Sequence, residues 1–281
     1  MGNVRIVTDS TADLPQELIE ALDIVIVPLK ISFGKDIYRD GVDISSDEFI
    51  SRLKKEDYLP VTSQPSPGEF VAIYEQLTAR GDSVISIHIS SQLSGTVQSA
   101  KTATAMVDSR SVYVVDSGSA SMGLGLTVLA AARAAKEGAA VRRILDIVNE
   151  RVDKGFIIFM VETLEYLEKG GRIGKANSFL GSLLKIKPIL TLNEGMVVPL
   201  EKVRGEGRAI KRMAEIVRDM TEGSKKYSSS LVYGSNYASL MRLREKIVPG
   251  FNLQTPIIAK LGPVIMSHTG PEVIGIAVCP E

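Results

Sequence analysis

The chain reads as an α/β protein of two units: a mostly parallel sheet with helices on both faces, then an α+β unit containing antiparallel strands. Three observations predict this. Through the first half, β-rich runs alternate with helical patterns. The pattern changes near residue 155, where Gly155 precedes the apolar run "FIIFMV". Beyond it, "KPILTLNEGMVVPLEKVRG" spells two strands joined at Asn193-Glu194-Gly195, the chemistry of an antiparallel hairpin. With 281 residues, 44% of them hydrophobic, the chain can fill two cores, and we expect domains at 1–155 and 156–281, with segments free to exchange between them.

The elements follow in order. "VRIV" is a strand leading into "DSTADLPQELIEAL", a helix with Asp13 as its expected cap and Pro15 in its first turn. "DIVIVPLKISF" is extended, and "SDEFISRLKK" is a short helix. In "SPGEFVAIYEQLTARG" the residues Phe70, Ile73, Tyr74 and Leu77 share a helical face. Next come the strand "DSVISIHIS", the helix "GTVQSAKTATAMV", the strand "SVYVVDS" and a long helix from about Met122. Residues 141–152 form an amphipathic helix with Ile144, Leu145, Val148 and Val152 in register. After the hairpin the helix "GRAIKRMAEIVRDM", the strand "SLVYGS", the helix "YASLMRLREKIV" and two final strands complete the second unit.

Composition excludes several classes of function. Lys plus Arg and Asp plus Glu are 33 each, so no overall basic field exists to hold nucleic acid or an anionic membrane. A single cysteine, Cys279, rules out a disulfide framework and multi-cysteine metal sites, and suits a reducing compartment. The N-terminus lacks a signal-peptide pattern, no stretch approaches a membrane span, and a cytoplasmic location is expected. Two histidines, His88 and His268, with no HExxH, make metal catalysis a poor expectation.

Three segments share one construction: "VTSQPSPGEF", "SSQLSGTVQSA" and "VVDSGSASMG" each place small hydroxyl residues between an extended run and a helix. Loops at the carboxyl ends of parallel strands gather along one edge, where helix N-termini offer N–H groups to an anion. Alone, each loop is explained by helix capping. Together they supply more hydroxyls than capping needs, and Gly95 would let a ligand approach the backbone. A carboxylate or a phosphate would suit such uncharged donors.

Nucleotide motifs fail their context. "KGGRIGKA" has Lys169 in place of the first P-loop glycine and Ala176 in place of the hydroxyl; "GEGRAI" lacks its third glycine. Ser94, His268 and either Asp116 or Asp9 spell a possible hydrolase triad, but "QLSGT" lacks the G-x-S-x-G elbow. An acyl or phosphate ester hydrolase using Ser94 and His268 is therefore the alternative, and a binding module for a phosphorylated metabolite is a third reading. His88, inside "VISIHIS", is expected to be a core residue; His268 lies in the turn-rich "IMSHTGPE".

"VTDSTADLP", "TSQPSPGEF", "SSQLSGTVQSA", "VVDS" with "SASMGLG", "LEYLEKGGRIGKA", "KPIL" and "SHTGPEVIGI" together resemble the DegV family of bacterial fatty-acid-binding proteins over nearly the whole chain. The resemblance implies a long-chain fatty acid such as palmitate or oleate held between two α/β domains as ligand, with no cofactor and no catalytic residue. It implies carboxylate anchors at Thr62 and Ser94 with His268 in the same polar network, and the hydroxyl-rich loops add Ser63, Gly95, Ser119 and Ala120 as candidate contacts. It also implies a carrier whose separate partner, a fatty acid kinase, phosphorylates the bound carboxylate. Arg172, with Lys169 and Lys175, matches the docking surface for that kinase, and transient contact with a membrane surface is compatible with the role. Burying about fifteen methylenes would contribute on the order of 12 kcal/mol before ordering costs. "FIIFMV", "FLGSLL" and "PVIM" are the candidate walls of the tunnel.

Overall fold

The computed structural model describes residues 2–107, 111–180, 186–221, 226–247 and 255–281. Its first half contains β1 (Val4–Asp9), a 3-10 turn (Ser10–Ala12), α1 (Gln16–Ala21), β2 (Val25–Val27), β3 (Lys30–Phe33), β4 (Asp36–Arg39), α2 (Ser46–Leu53) and β5 (Val61–Ser63). There follow α3 (Pro67–Thr78), β6 (Ser83–His88), α4 (Thr96–Thr104), β7 (Val112–Asp116), α5 (Met122–Lys136) and α6 (Val141–Lys154). The second half has β8 (Phe156–Met160), α7 (Glu165–Lys169), a 3-10 segment (Gly174–Phe179), β9 (Ile186–Asn193), β10 (Met196–Arg204), α8 (Glu206–Met220), β11 (Tyr227–Tyr233), α9 (Tyr237–Ile247), β12 (Ile257–Lys260), α10 (Pro263–Thr269) and β13 (Ile274–Pro280).

The strands form three sheets. A four-stranded sheet in the order β2-β1-β6-β7 is parallel throughout. Its central strand β6 is buried on both faces, as its unbroken apolar run requires. Val84 packs with Phe70, Tyr74 and Ala100 of α3 and α4, while Ile85 and Ile87 face the core that includes α5. A six-stranded sheet, β10-β9-β8-β13-β11-β12, is antiparallel except for the β11–β12 pair. Every strand of the parallel sheet precedes residue 155 and every strand of the six-stranded sheet follows it. Helix α5 lies between them, touching β1 on one side and β13 and β11 on the other. One apolar core therefore runs from Ile6 and Ile85 through α5 to Phe159, Val232 and Ala277.

The third sheet was not legible in the sequence. "DIVIVPLKISF" is not one strand: it divides at Pro28-Leu29 into β2, on the edge of the parallel sheet, and β3, the centre of a small antiparallel sheet β4-β3-β5. Proline cannot donate to a ladder, so the chain leaves one sheet there and starts another. Asp13 is not the cap of α1; Pro15 holds that position without a side-chain bond. Asp13 instead adopts a left-handed conformation (φ 50°) and turns its carboxyl inward. The turn-rich reading of "IMSHTGPE" is also corrected, because residues 263–269 form α10, started by Pro263 and stopped at Gly270 (φ 77°). The β9–β10 turn falls as expected, with Glu194 (φ 50°) and Gly195 (φ 76°) both left-handed, as a two-residue type I′ hairpin demands.

Candidate functional site

All three hydroxyl loops join a strand to a helix, but they do not share one sheet edge. The loops after β6 and β7 leave the parallel sheet, whereas Thr62 lies within β5 of the small sheet. Register decides its direction. Thr62 pairs with Ile31, which pairs with Tyr38, and Ile31 is fully buried, so Thr62 points inward, while Val61, in line with Ser32 and Ile37, is exposed.

Thr62 faces a cavity enclosing about 860 Å³ of space between atoms, its open mouth included. Its walls are mainly apolar and come from both halves of the chain: Leu29 and Ile89 from the first, Ile157, Phe159, Val232 and Val264 from the second. Of the expected tunnel walls, "FIIFMV" contributes Ile157 and Phe159, and "PVIM" contributes Val264 and Ile265. Residues 181–184 of "FLGSLL" lie outside the described residues.

The polar groups of this cavity cluster. His268 Nε2 lies 2.8 Å from Thr62 Oγ1. Burial, aided by the positive charge of Arg172, pushes the His268 imidazole down to about 4, so it is neutral at physiological pH. Its Nδ1 is buried without a hydrogen-bond partner and sits where a side chain on Gly170 would stand. A buried bare nitrogen costs less than an orphaned N–H, which assigns the proton to Nε2. Nε2–H then donates to Thr62 Oγ1, leaving the Thr62 hydroxyl hydrogen free for a ligand. Ser94 Oγ lies 2.9 Å from Thr96 Oγ1, and either hydroxyl can donate. Ser63 and Ala120 also line the cavity.

Two expected site residues are placed elsewhere. Ser119 lines a separate, smaller pocket with Ser117, Thr127 and Arg151, because its side chain turns back over Gly123 of α5. Gly95 gives no access to a ligand, since the Gln64 side chain occupies the space above it: a Cβ there would lie 2.6 Å from Gln64 Nε2. Gln64 and Ser121, which lie inside the "TSQPS" and "SASMG" segments, line the cavity as well.

The largest correction concerns charge. Arg172 does not simply project from a surface loop; it lines the cavity beside His268. Its Nε donates to the Leu93 carbonyl at 3.0 Å and its Nη1 to the Gly170 carbonyl at 2.7 Å. The cradle is therefore hydroxyls plus one guanidinium whose donors are partly spent on the backbone. Lys169 and Lys175 are exposed, and Lys169 pairs with Glu165 at 2.6 Å.

No hydrolase relay is assembled from the candidate groups. Ser94 bonds Thr96, not His268. Asp116 accepts from the Ser91 and Gly118 N–H groups, and Asp9 bonds His88, which is a fully buried core residue as expected. Among the described residues no cluster of His, Cys, Asp or Glu is arranged for a metal ion, and no helix is long and apolar enough to cross a membrane.

Fold and site thus define a two-unit α/β protein with an apolar cavity between its sheets and a cluster of hydrogen-bond donors on the cavity wall. Residues 3–281 match the family described as "Uncharacterised protein, DegV family", and the chain belongs to that family. A DegV domain-containing protein of Halalkalibacterium halodurans is 39% identical over 278 residues, covering 99% of this chain and 98% of that protein. Among solved structures, a DegV family protein from Thermus thermophilus, described by its fatty acid binding, superposes with a TM-score of 0.95 at 38% identity, covering 99% of this chain and 100% of the other. DegV of Bacillus subtilis, described as a fatty acid binding protein, gives 0.90 at 34% identity with complete coverage of both.

Proposed function

We propose that this protein is a non-enzymatic carrier that holds one long-chain fatty acid between its two units and offers the carboxylate to a partner kinase for conversion to an acyl phosphate. The observation that carries this reading is the pairing of a mainly apolar cavity with Thr62, Ser94 and His268 on its wall. Fatty acid binding by the two structural relatives supports the ligand class. In this reading residues 1–155 supply most of the head-group cradle and residues 156–281 close the tunnel.

A carboxylate that must later attack a phosphoryl group is best held without a full bidentate ion pair. Hydroxyl donors meet that need, and Arg172 contributes charge while its fork is anchored to the Leu93 and Gly170 carbonyls. The exposed Lys175, which forms no ion pair among the described residues, and Lys169 flank Arg172 and are the proposed kinase contact.

The test is direct. Lipid extracted from purified protein should contain fatty acid, and added palmitate or oleate should bind with one-to-one stoichiometry. Absence of both sinks the carrier. The hydrolase alternative predicts turnover of p-nitrophenyl esters that disappears in Ser94→Ala; the carrier predicts none to lose. With a fatty acid kinase present, Lys175→Glu should lower acyl phosphate formation while leaving palmitate affinity unchanged.

A further inference from the structure

The turn that carries Ser94 is organised by a residue outside the cavity. Ser90, two residues after β6, has 1% of its surface exposed and does not line the cavity, whereas Ile89, Leu93 and Ser94 around it do. Its carbonyl accepts the Leu93 N–H at 2.9 Å and the Ser94 N–H at 3.0 Å, which closes the turn and fixes the backbone of Ser94. Its N–H donates to the Ser119 carbonyl at 2.8 Å, in the loop after β7 whose next residue, Ala120, is on the cavity wall. Its hydroxyl accepts the Gln92 N–H at 3.1 Å and donates to the Gly195 carbonyl at 2.9 Å, so every polar atom of Ser90 is engaged.

Of the Ser90 bonds, the one to Gly195 crosses between the units. Gly195 is the tip of the β9–β10 hairpin, buried and left-handed at φ 76°, and a Cβ on it would stand 2.3 Å from Ser90 Oγ and 3.3 Å from Gln92 Cγ. Only a glycine lets the hairpin tip come this close. The same hairpin supplies Leu192 and Val197 to the cavity wall. From the other side of the turn, the Leu93 carbonyl accepts Arg172 Nε at 3.0 Å. The turn before Ser94 is thus held at both ends by the second unit, through the Ser90 hydroxyl and the Leu93 carbonyl.

We propose that Ser90 is a positioning residue for the head-group site: its hydroxyl fastens the hairpin tip of the second unit to the turn that ends at Ser94, and so sets where the Ser94 hydroxyl stands on the cavity wall. Removing that hydroxyl leaves the buried Gly195 carbonyl without its donor and the Gln92 N–H without its acceptor. The backbone bonds of Ser90 persist, as do those of Asp116 to the Ser91 and Gly118 N–H groups, so the loop stays folded while its join to the hairpin loosens. The effect on ligand rests on the head-group reading above; the fastening of the hairpin does not.

The test uses the full chain. Palmitate affinity is measured by displacement of a fluorescent fatty acid in wild type, Ser90→Ala, Ser94→Ala and the double variant. Ser90→Ala should weaken binding about fivefold or more in the wild-type background, and by no more than about twofold once Ser94 is alanine, because its effect passes through the Ser94 hydroxyl. A merely structural loss multiplies through, so an equal factor in both backgrounds, or wild-type affinity in Ser90→Ala, overturns the positioning role. Hydrogen exchange of the lipid-free protein reads the fastening directly: Ser90→Ala should speed exchange in residues 90–95 and in residues 193–197 together. Unchanged exchange in either segment overturns it. Should Ser90→Ala not fold, Gly195→Ala breaks the same contact from the hairpin side and should show the same dependence on Ser94. Should Ser94→Ala bind palmitate like wild type, or palmitate not bind at all, the head-group reading fails while the exchange data still decide the fastening.

Discussion

A neutral imidazole in front of a threonine hydroxyl is the centre of the proposed site, and both residues invite single-atom tests. Thr62→Val keeps the shape and removes the donor that His268 supports. A hydrogen bond to a charged group is worth about 1.5–3 kcal/mol, so palmitate affinity should fall roughly tenfold to a hundredfold, read by displacement titration. His268 adds a pH signature. Its ordinary value of 6.5 falls to about 4 in the fold, so between those values the unfolded chain takes up a proton that the native protein refuses. Stability from this residue is thus complete above pH 6.5 and declines as pH drops toward 4, by roughly 3 kcal/mol at most. His268→Gln should flatten that acid limb in denaturant midpoints measured from pH 7 to 4. Thr62, Ser94 and His268, the positions the family resemblance implied, all line the one cavity, which loop composition alone did not indicate. The place of Arg172 on the cavity wall was not readable from its basic loop; only the fold shows that the Leu93 and Gly170 carbonyls draw it there.

At the scale of elements, short segments far apart in sequence meet through a few backbone contacts. The β9–β10 hairpin tip is joined to the loop after β6 by the Ser90 hydroxyl, which donates to the Gly195 carbonyl at 2.9 Å. Gly195 is left-handed, and a Cβ there would lie 2.3 Å from Ser90 Oγ. Gly195→Ala should therefore strain the turn and break the contact, costing about 1–3 kcal/mol and lowering Tm by several degrees in a thermal melt. The hairpin itself was readable from Asn193-Glu194-Gly195, because turn chemistry is local. Helix α10 and the small β4-β3-β5 sheet were not. Pro263 starts α10 and Gly270 stops it after only seven residues, too short for a periodic pattern. The three-residue β5 has the same problem, and its direction is set by pairing with β3 rather than by its own sequence.

For the whole molecule, the alternation of strand and helix and the change near residue 155 were enough to predict one parallel and one mainly antiparallel sheet. The cavity between them was not predictable in detail, since Leu29, Ile157, Val232 and Val264 look like ordinary core until the sheets are placed together. A ligand that spans both sheets should stabilise the protein as a unit. At a free palmitate concentration of 100 times Kd, linkage gives about 2.7 kcal/mol, which should appear as a rise in Tm that Thr62→Val shifts to higher palmitate. The central claim is most directly tested by native mass spectrometry of the protein as isolated. The account predicts a species heavier than the chain by one long-chain fatty acid, which collisional activation releases as a carboxylate. A protein that flies only at its bare chain mass, and remains so after incubation with palmitate and with oleate, would contradict it.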